Sequence, residues 1–213
     1  MQCSSTKEKI IDSALTLFSE NGIESTSVEQ IASSVGVKAP ALYKHFKSKK
    51  DIVDSIFLKI FEHYSSTIEK EQSEIESCLA KLKEHEGSTC GMTEKAAGIV
   101  CNVIEEVFVE SIQDEFLNKA LRLTQIEHFH FERFASLYEN EFHDRLMNPS
   151  EKLLSLLIEK SILKKEDLEI MTAQFVSPII ILFDICRNNI KKKEYAMDFI
   201  SRHIKQFFRI YSK

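Results

Sequence analysis

Apolar residues recur at helical spacing along nearly the whole chain. The first such stretch runs from Thr6 to Asn21, and Gly22 follows it as a stop signal. Further helical stretches begin near Ile52 and Asn148, and residues 86–91 read as a loop. Only five glycines and three prolines interrupt the 213 residues, which favours long helices over many short strands. The pattern predicts an all-α fold of about nine helices.

The stretch between residues 27 and 46 predicts two short helices joined by a glycine turn. The hydroxyl of Ser27 can cap the first helix, and Gln30 stands three residues later, as a capping box requires. Gly36 can adopt a positive φ and so end this helix. A second helix is expected from Lys38 or Ala39. This is the helix-turn-helix arrangement, whose second helix enters the major groove of DNA.

The charge around this turn agrees with a DNA-binding surface. The whole chain has a net charge of −5, yet residues 38–50 contain five lysines and no acidic residue. A surface that contacts phosphates needs this local positive sign, whatever the total charge. The five residues are Lys38, Lys44, Lys47, Lys49 and Lys50.

A long helix should follow the turn without a flexible linker. Ser48 and Asp51 form a second capping-box pattern, and apolar residues at helical spacing continue past residue 60. We therefore expect a small N-terminal domain at residues 4–64, fused directly to a larger helical part at residues 65–213.

Composition predicts a soluble, cytoplasmic protein. Hydrophobic residues make up 43% and charged residues 29% of the chain, as in foldable proteins. The N-terminus lacks the apolar core of a signal peptide. The longest strongly apolar run, residues 175–183, is too short to cross a bilayer.

No pattern predicts a cofactor, a metal site or an enzyme. The five cysteines form no CxxC pair, and an odd number cannot all pair within one chain, so free thiols are expected. His128 and His130 lie two apart in a helix-like run, where such residues face apart. Phosphate loops, nucleophile elbows and HExxH motifs are absent from the sequence.

The segment IASSVGVKAPALYKHFKSKKDIVDSIF resembles the DNA-binding part of the tetracycline-repressor (TetR) family of bacterial transcriptional regulators. The family pattern is Ile-Ala, then Gly-Val, then Leu-Tyr-x-His-Phe, then Lys before a long apolar helix. Here these residues are Ile31-Ala32, Gly36-Val37, Leu42-Tyr43-Lys44-His45-Phe46 and Lys49. The specific match covers the N-terminal domain, and the remainder resembles the family only in length and helical character.

The resemblance implies a three-helix head, joined by its fourth helix to an all-helical body that binds a ligand and dimerises. It also implies which residues contact DNA. Ser27 matches a phosphate-contacting position at a helix N-terminus, where free N–H groups favour anions. Lys38 and Lys44 are the candidates for reaching guanine edges. The full set is Ser27, Lys38, Ala39, Ala41, Tyr43, Lys44, His45 and Lys49, whereas Leu42 and Phe46 should be core by their spacing.

Two further sets concern the larger part of the chain. Aromatic residues are densest between Phe116 and Phe142 and are compatible with either a packed core or an apolar cavity with a few polar groups. The candidate ligand-binding residues are Glu105, Phe108, Phe116, Glu127, His128, Phe131 and Phe134. Two strongly apolar C-terminal helices could close the core or form the two-fold interface that the resemblance implies. Candidates there are Phe175, Ile179, Phe183, Phe199, His203 and Phe207.

Together these features predict a homodimeric transcriptional repressor that leaves a pseudo-palindromic double-stranded operator when a small apolar or aromatic effector binds. The alternative is a small-molecule-sensing dimer whose head binds DNA weakly or without sequence preference. An enzyme, a membrane protein and a cofactor-dependent protein are not expected.

Overall fold

The computed structural model describes residues 5–83, 92–140 and 146–212. The loop expected at residues 86–91 and the aromatic residue Phe142 lie outside them. The described chain is helical throughout, apart from turns and one isolated bridge between Leu163 and Ser212, which confirms the all-α prediction. Its ten α-helices are α1 Thr6–Asn21, α2 Val28–Val35, α3 Ala39–Leu42, α4 Lys49–Lys83, α5 Met92–Gln113, α6 Glu115–Glu127, α7 Glu132–Asn140, α8 Asn148–Glu159, α9 Leu168–Asn188 and α10 Lys193–Tyr211.

Local sequence accounts for the boundaries of the first helix. Ser5 caps α1 in a full capping box with Glu8, because each side chain accepts a hydrogen bond from the other's backbone N–H. Gly22 ends the helix with φ 81° and ψ 161°, and its N–H bonds to the carbonyl of Phe18. The helix predicted at Thr6–Asn21 is confirmed.

The chain separates into two compact units. The first contains Met1–Ser66 together with Glu115–Glu139, and the second contains Thr67–Asp114 together with Asn140–Lys213. The sequence-based division at residues 64 and 65 did not anticipate that α6 and α7 pack in the same unit as the helix-turn-helix. The assignment of separate functions to the two parts stays a prediction.

The first unit is built around fully buried side chains from α1, α2, α3, α4 and the α6–α7 segment. Helix α6 lies against α1, and α2 packs between α1 and α3. Leu42 and Phe46 are buried, as their spacing predicted. The largest buried residues of this unit are Ile10, Leu15, Phe18, Ile31, Leu42, Ile52, Ile56, Ile60, Leu117 and Phe134.

The second unit buries one contiguous core made by α5, α8, α9 and α10. Helix α10 packs against both α5 and α9, and α8 packs against α9. The end of α10 is tied to the turn after α8, because the N–H of Lys164 donates to the carbonyl of Tyr211 at 2.7 Å.

Helix α9 is longer than its apolar run suggested. It spans 21 residues, runs on through Pro178, and is long and apolar enough to cross a membrane by length and composition. The expectation that this region is too short was therefore wrong, because it considered only residues 175–183. Such a helix is weak evidence for a membrane, since the core helix of a soluble protein passes the same test.

Candidate DNA interface

The first helix of the helix-turn-helix begins at the predicted capping box. The backbone N–H of Gln30 donates to the Ser27 hydroxyl at 3.2 Å, and the N–H of Ser27 donates to the Gln30 side chain at 2.6 Å. Ser27 is exposed. The N-terminus of α2 therefore lies at the surface beside a hydroxyl, an arrangement suited to a phosphate oxygen.

Gly36 supplies the turn. Its φ of 77° and ψ of 27° lie in the left-handed region, and its N–H bonds to the carbonyl of Ser33. The N–H of Val37 reaches back to the carbonyl of Ala32 at 2.9 Å, which closes the C-terminus of α2. A Cβ at this position would have nothing within 4 Å of it, so space does not demand a glycine. The positive φ demands it.

The second helix of the helix-turn-helix is short, as predicted. Helix α3 has only four residues, Ala39–Leu42, with Pro40 in its first turn. Hydrogen-bonded turns continue it to Phe46, whose N–H donates to the carbonyl of Leu42 at 3.1 Å. Leu42 and Phe46 anchor this segment in the core, so the residues between them face outward.

The predicted DNA-contacting residues form the outer face of this segment. Lys38, Tyr43, Lys44 and His45 are exposed, and Tyr43 shows 50% of its surface to solvent. Ala39 and Ala41 are half-buried. An exposed Tyr on a small, lysine-rich surface is consistent with a phosphate contact rather than core packing.

Helix α4 begins beside the turn that precedes α2. Ser48 accepts from the N–H of Asp51 at 3.2 Å, while the Asp51 carboxylate accepts from the N–H of Lys47 at 2.9 Å. The predicted cap is therefore present, although the carboxylate reaches one residue further back than in a standard capping box. Lys49 is half-buried, and its Nζ lies 3.4 Å from the carbonyl oxygen of Glu24.

An open cleft of about 740 Å³ lies in the first unit, next to Lys49. Ile23 and Val53 are its buried apolar residues, and Phe131 and Arg133 line it from the α6–α7 segment. The cleft brings together Lys49 and Phe131, which the sequence assigned to different sites.

The candidate ligand-binding residues are divided between the two units. Glu105 and Phe108 belong to the second unit, and the other five belong to the first. In the second unit, Phe108 is buried and packs edge to face against Phe183, with centroids 6.2 Å apart. The carboxylate of Glu105 accepts a hydrogen bond from the Cys101 thiol at 3.2 Å. Burial, together with this carboxylate, raises the pKa of Cys101.

In the first unit these residues have specific partners. Phe134 is fully buried, and Phe116 lies against His63 with ring centroids 4.7 Å apart. His128 stacks on Tyr138 at 4.7 Å. His128 and His130 lie in the turn between α6 and α7, which the sequence had read as helix. No group of three or more His, Cys, Asp or Glu side chains suited to a metal occurs among the described residues.

The candidate dimer residues differ in exposure. Phe175 and Phe207 are buried in the core of the second unit with rings 5.1 Å apart, so neither belongs to an exposed contact surface. The other four, Ile179, Phe183, Phe199 and His203, are half-buried. The sequence missed several exposed apolar residues near them, because helical periodicity alone does not show which side of an all-apolar helix faces out. These are Ile170, Ile181, Ile185, Tyr195 and Ile210.

Comparison with known proteins agrees with this geometry. The family model described as "Bacterial regulatory proteins, tetR family" matches residues 10–56, which include α1, α2, α3 and the start of α4. Residues 10–56 are therefore similar to the N-terminal part of TetR-family regulators. The relatives that match this part of the chain are transcriptional regulators.

The curated relatives match the N-terminal part. The icaADBC biofilm operon negative regulator IcaR of Staphylococcus aureus is 43% identical over 67 residues, which is 32% of this chain and 36% of IcaR. The probable transcriptional regulator YttP of Bacillus subtilis is 39% identical over 71 residues, which is 33% of this chain and 34% of YttP. The match thus spans about a third of the length of these relatives.

Solved structures match the whole fold at low sequence identity. The complex of SmeT with triclosan has a TM-score of 0.63 and 19% identity, covering 99% of this chain and 93% of SmeT. SmeT is the repressor of a multidrug efflux pump in Stenotrophomonas maltophilia. A TetR-family regulator from Mesorhizobium loti has a TM-score of 0.62 and 20% identity, covering 98% of this chain and 97% of that regulator. These TetR-family neighbours share the all-α fold of this chain.

Proposed function

We propose that this chain is a DNA-binding transcriptional repressor of the TetR family. The observation that carries the proposal is the surface between Leu42 and Phe46, where two buried anchors hold Tyr43, Lys44 and His45 outward on a basic segment. The relative IcaR is a negative regulator, which supports repression rather than activation. A regulator of this kind acts in the cytoplasm, where the operator is.

The proposed active form is a homodimer. The exposed isoleucines of α9 and α10 would be costly to leave in water, and the two helices pack side by side in the second unit. A two-fold pair would bury these residues and present two recognition helices. Half-sites would then lie about one helical turn apart, roughly 34–36 Å centre to centre.

Release from DNA is proposed to follow binding of a small apolar or aromatic effector. SmeT, which shares the fold, is seen in complex with triclosan, a precedent for an aromatic ligand in this architecture. An effector can lower DNA affinity only if it binds the two head geometries unequally. The ligand site remains the predicted set, of which Phe108 and Glu105 lie in the second unit.

The experiment is selection of duplexes from a random-sequence library by the purified full chain, followed by titration of the enriched duplex. Enrichment of a pseudo-palindromic sequence is expected, and the Lys44→Ala, Lys49→Ala double variant should weaken binding. A control variant, Lys165→Ala with Lys191→Ala, removes two exposed lysines of the second unit and should bind normally. Equal binding by both double variants would refute the assignment, and lack of any enrichment would favour a sensing dimer with a weak head.

A further inference from the structure

Two polar contacts join the α6–α7 segment to the turn before α2 and to helix α4, within the first unit. The Glu127 carboxylate accepts a hydrogen bond from the backbone N–H of Ile23 at 2.7 Å. Six residues later, the Arg133 guanidinium donates to the carboxylate of Asp54 on α4. We call Glu127 and Arg133, with these two partners, the brace.

The Glu127 contact lies in a place that water does not reach. Glu127 is 3% exposed and Ile23 is 4% exposed. A carboxylate is costly to bury unless it accepts hydrogen bonds, and the N–H of Ile23 supplies one across 104 positions of sequence. The backbone passes so close that a Cβ on Gly22 would lie 3.4 Å from Glu127 Oε1. The contact therefore fixes both the turn after α1 and the end of α6.

The Arg133 contact attaches the start of α7 to helix α4. Its guanidinium carbon lies 5.1 Å from the centroid of the Phe57 ring, and Phe57 packs edge to face on Phe134 at 5.9 Å. Asp54 and Phe57 are one turn apart on α4, so charge and aromatic packing hold the same stretch of that helix.

The brace connects the segments that carry Ser27 and Lys49, two of the predicted DNA contacts, which we take as phosphate contacts. Ile23 begins the turn that leads to Ser27, and the Thr26 hydroxyl donates to the carbonyl of Gly22 at 2.9 Å within that turn. Asp54 follows Lys49 by five residues on the rigid helix α4. Because α6 contacts the turn before α2 and α7 contacts α4, the two helices set the distance between the start of α2 and the start of α4.

We propose that Glu127 and Arg133 are positioning residues for DNA binding. They touch no DNA but preorganise Ser27 and Lys49, so that less ordering is needed when phosphates are bound. This inference rests on the proposed DNA-binding function and adds the residues that prepare the head for it. It also gives Glu127 a role different from the ligand contact that the sequence suggested.

The test compares variants in the full chain, with the duplex enriched by the wild type as probe. Glu127→Ala and Arg133→Met should each lower affinity roughly tenfold, the size of one charge-assisted hydrogen bond. The slope of affinity against salt concentration should stay unchanged, because no phosphate contact is removed. By contrast, Lys49→Ala should reduce the slope by about one. Amide hydrogen exchange at Ile23 should be faster in Glu127→Ala than in the wild type.

Three controls separate positioning from general stability. Glu132→Ala removes an exposed carboxylate from α7, next to Arg133, and should bind normally. Leu123→Ala cuts a fully buried side chain of α6 without touching the brace, and should bind normally at a temperature where it is folded. Glu127→Gln keeps an oxygen acceptor of the same shape and should restore most of the affinity.

The outcomes are distinct. Wild-type affinity in both Glu127→Ala and Arg133→Met would overturn the inference while leaving the DNA-binding proposal intact. An equal loss in Leu123→Ala would also overturn it, because the effect would then be one of stability. If the wild type enriches no duplex, the proposed function itself fails.

Discussion

Replacing each described glycine by alanine should have three different effects on stability. Gly22 has φ 81° and ψ 161°, a region that glycine alone occupies readily, and its new Cβ would press on Glu127. Gly36 is left-handed, with open space around it. Gly98 lies inside α5, again with nothing within 4 Å of the new Cβ.

The magnitudes follow from these environments. Gly36→Ala should cost about 1–2 kcal/mol, the cost of a left-handed backbone for a residue with a Cβ. Gly22→Ala should cost more, about 2–3 kcal/mol, because an unfavourable backbone region and the 3.4 Å contact with Glu127 act together. Gly98→Ala should stabilise by about 0.5–1 kcal/mol, because alanine loses less conformational freedom in a helix.

Urea unfolding followed by circular dichroism measures all three changes. Protein concentration must be equal, since the stability of a dimer depends on it. The urea slopes should match, so that midpoints report free energies. A Gly22→Ala variant less destabilised than Gly36→Ala would refute the close approach of Glu127 to the turn. Destabilisation by Gly98→Ala would refute the open surroundings given to α5.

Three other changes test the core, the proposed dimer and the buried thiol. Phe134→Ala should lower the free energy of unfolding by about 3–5 kcal/mol, because the ring is fully buried against Phe57. Phe129→Ala, at an 86% exposed position, should stay within about 0.5 kcal/mol of the wild type, and similar urea midpoints for the two variants would contradict the packing. Ile181→Glu should convert the dimer to monomers in size-exclusion chromatography with light scattering, since a charge would enter an apolar contact, and a persisting dimer would exclude this face. Burial raises the pKa of the Cys101 thiol, so above about pH 9 the unfolded chain loses this proton before the folded chain does, and the stability of the fold falls. The melting temperature of Cys101→Ala should therefore fall less steeply with pH than that of the wild type, and an identical fall would contradict the burial.

The helix-turn-helix could be predicted in detail because its signals are local. Ser27, Gln30 and Gly36 act on backbone groups within a few residues of themselves, so their roles depend little on the rest of the chain. The same holds for Leu42 and Phe46, whose spacing places both on the inner side of one short segment. The exact length of α3 was not predictable in the same way, because a helix of one turn differs from hydrogen-bonded turns only in backbone detail.

The packing partners of the residues in α6 and α7 could not be predicted from spacing. Phe116, Glu127 and Phe134 have helical periodicity, which shows that one side is buried but not which partner covers it. In the structure their partners are α1, which belongs to the three-helix head, and α4, which follows it. Likewise, Phe175 faces its own core while Ile181, six residues on, is exposed, although both belong to one apolar helix.

The sequence by itself determined the all-α class, the ends of α1 and α2, and the basic, outward-facing surface between Leu42 and Phe46. It could do so because capping, glycine turns and local charge act over a few residues. The tertiary structure alone decided that α6 and α7 belong with the head, that the Glu127 carboxylate holds the N–H of Ile23, and that Arg133 holds Asp54. These contacts join residues about 80 to 100 positions apart, and nothing local in either partner specifies the other.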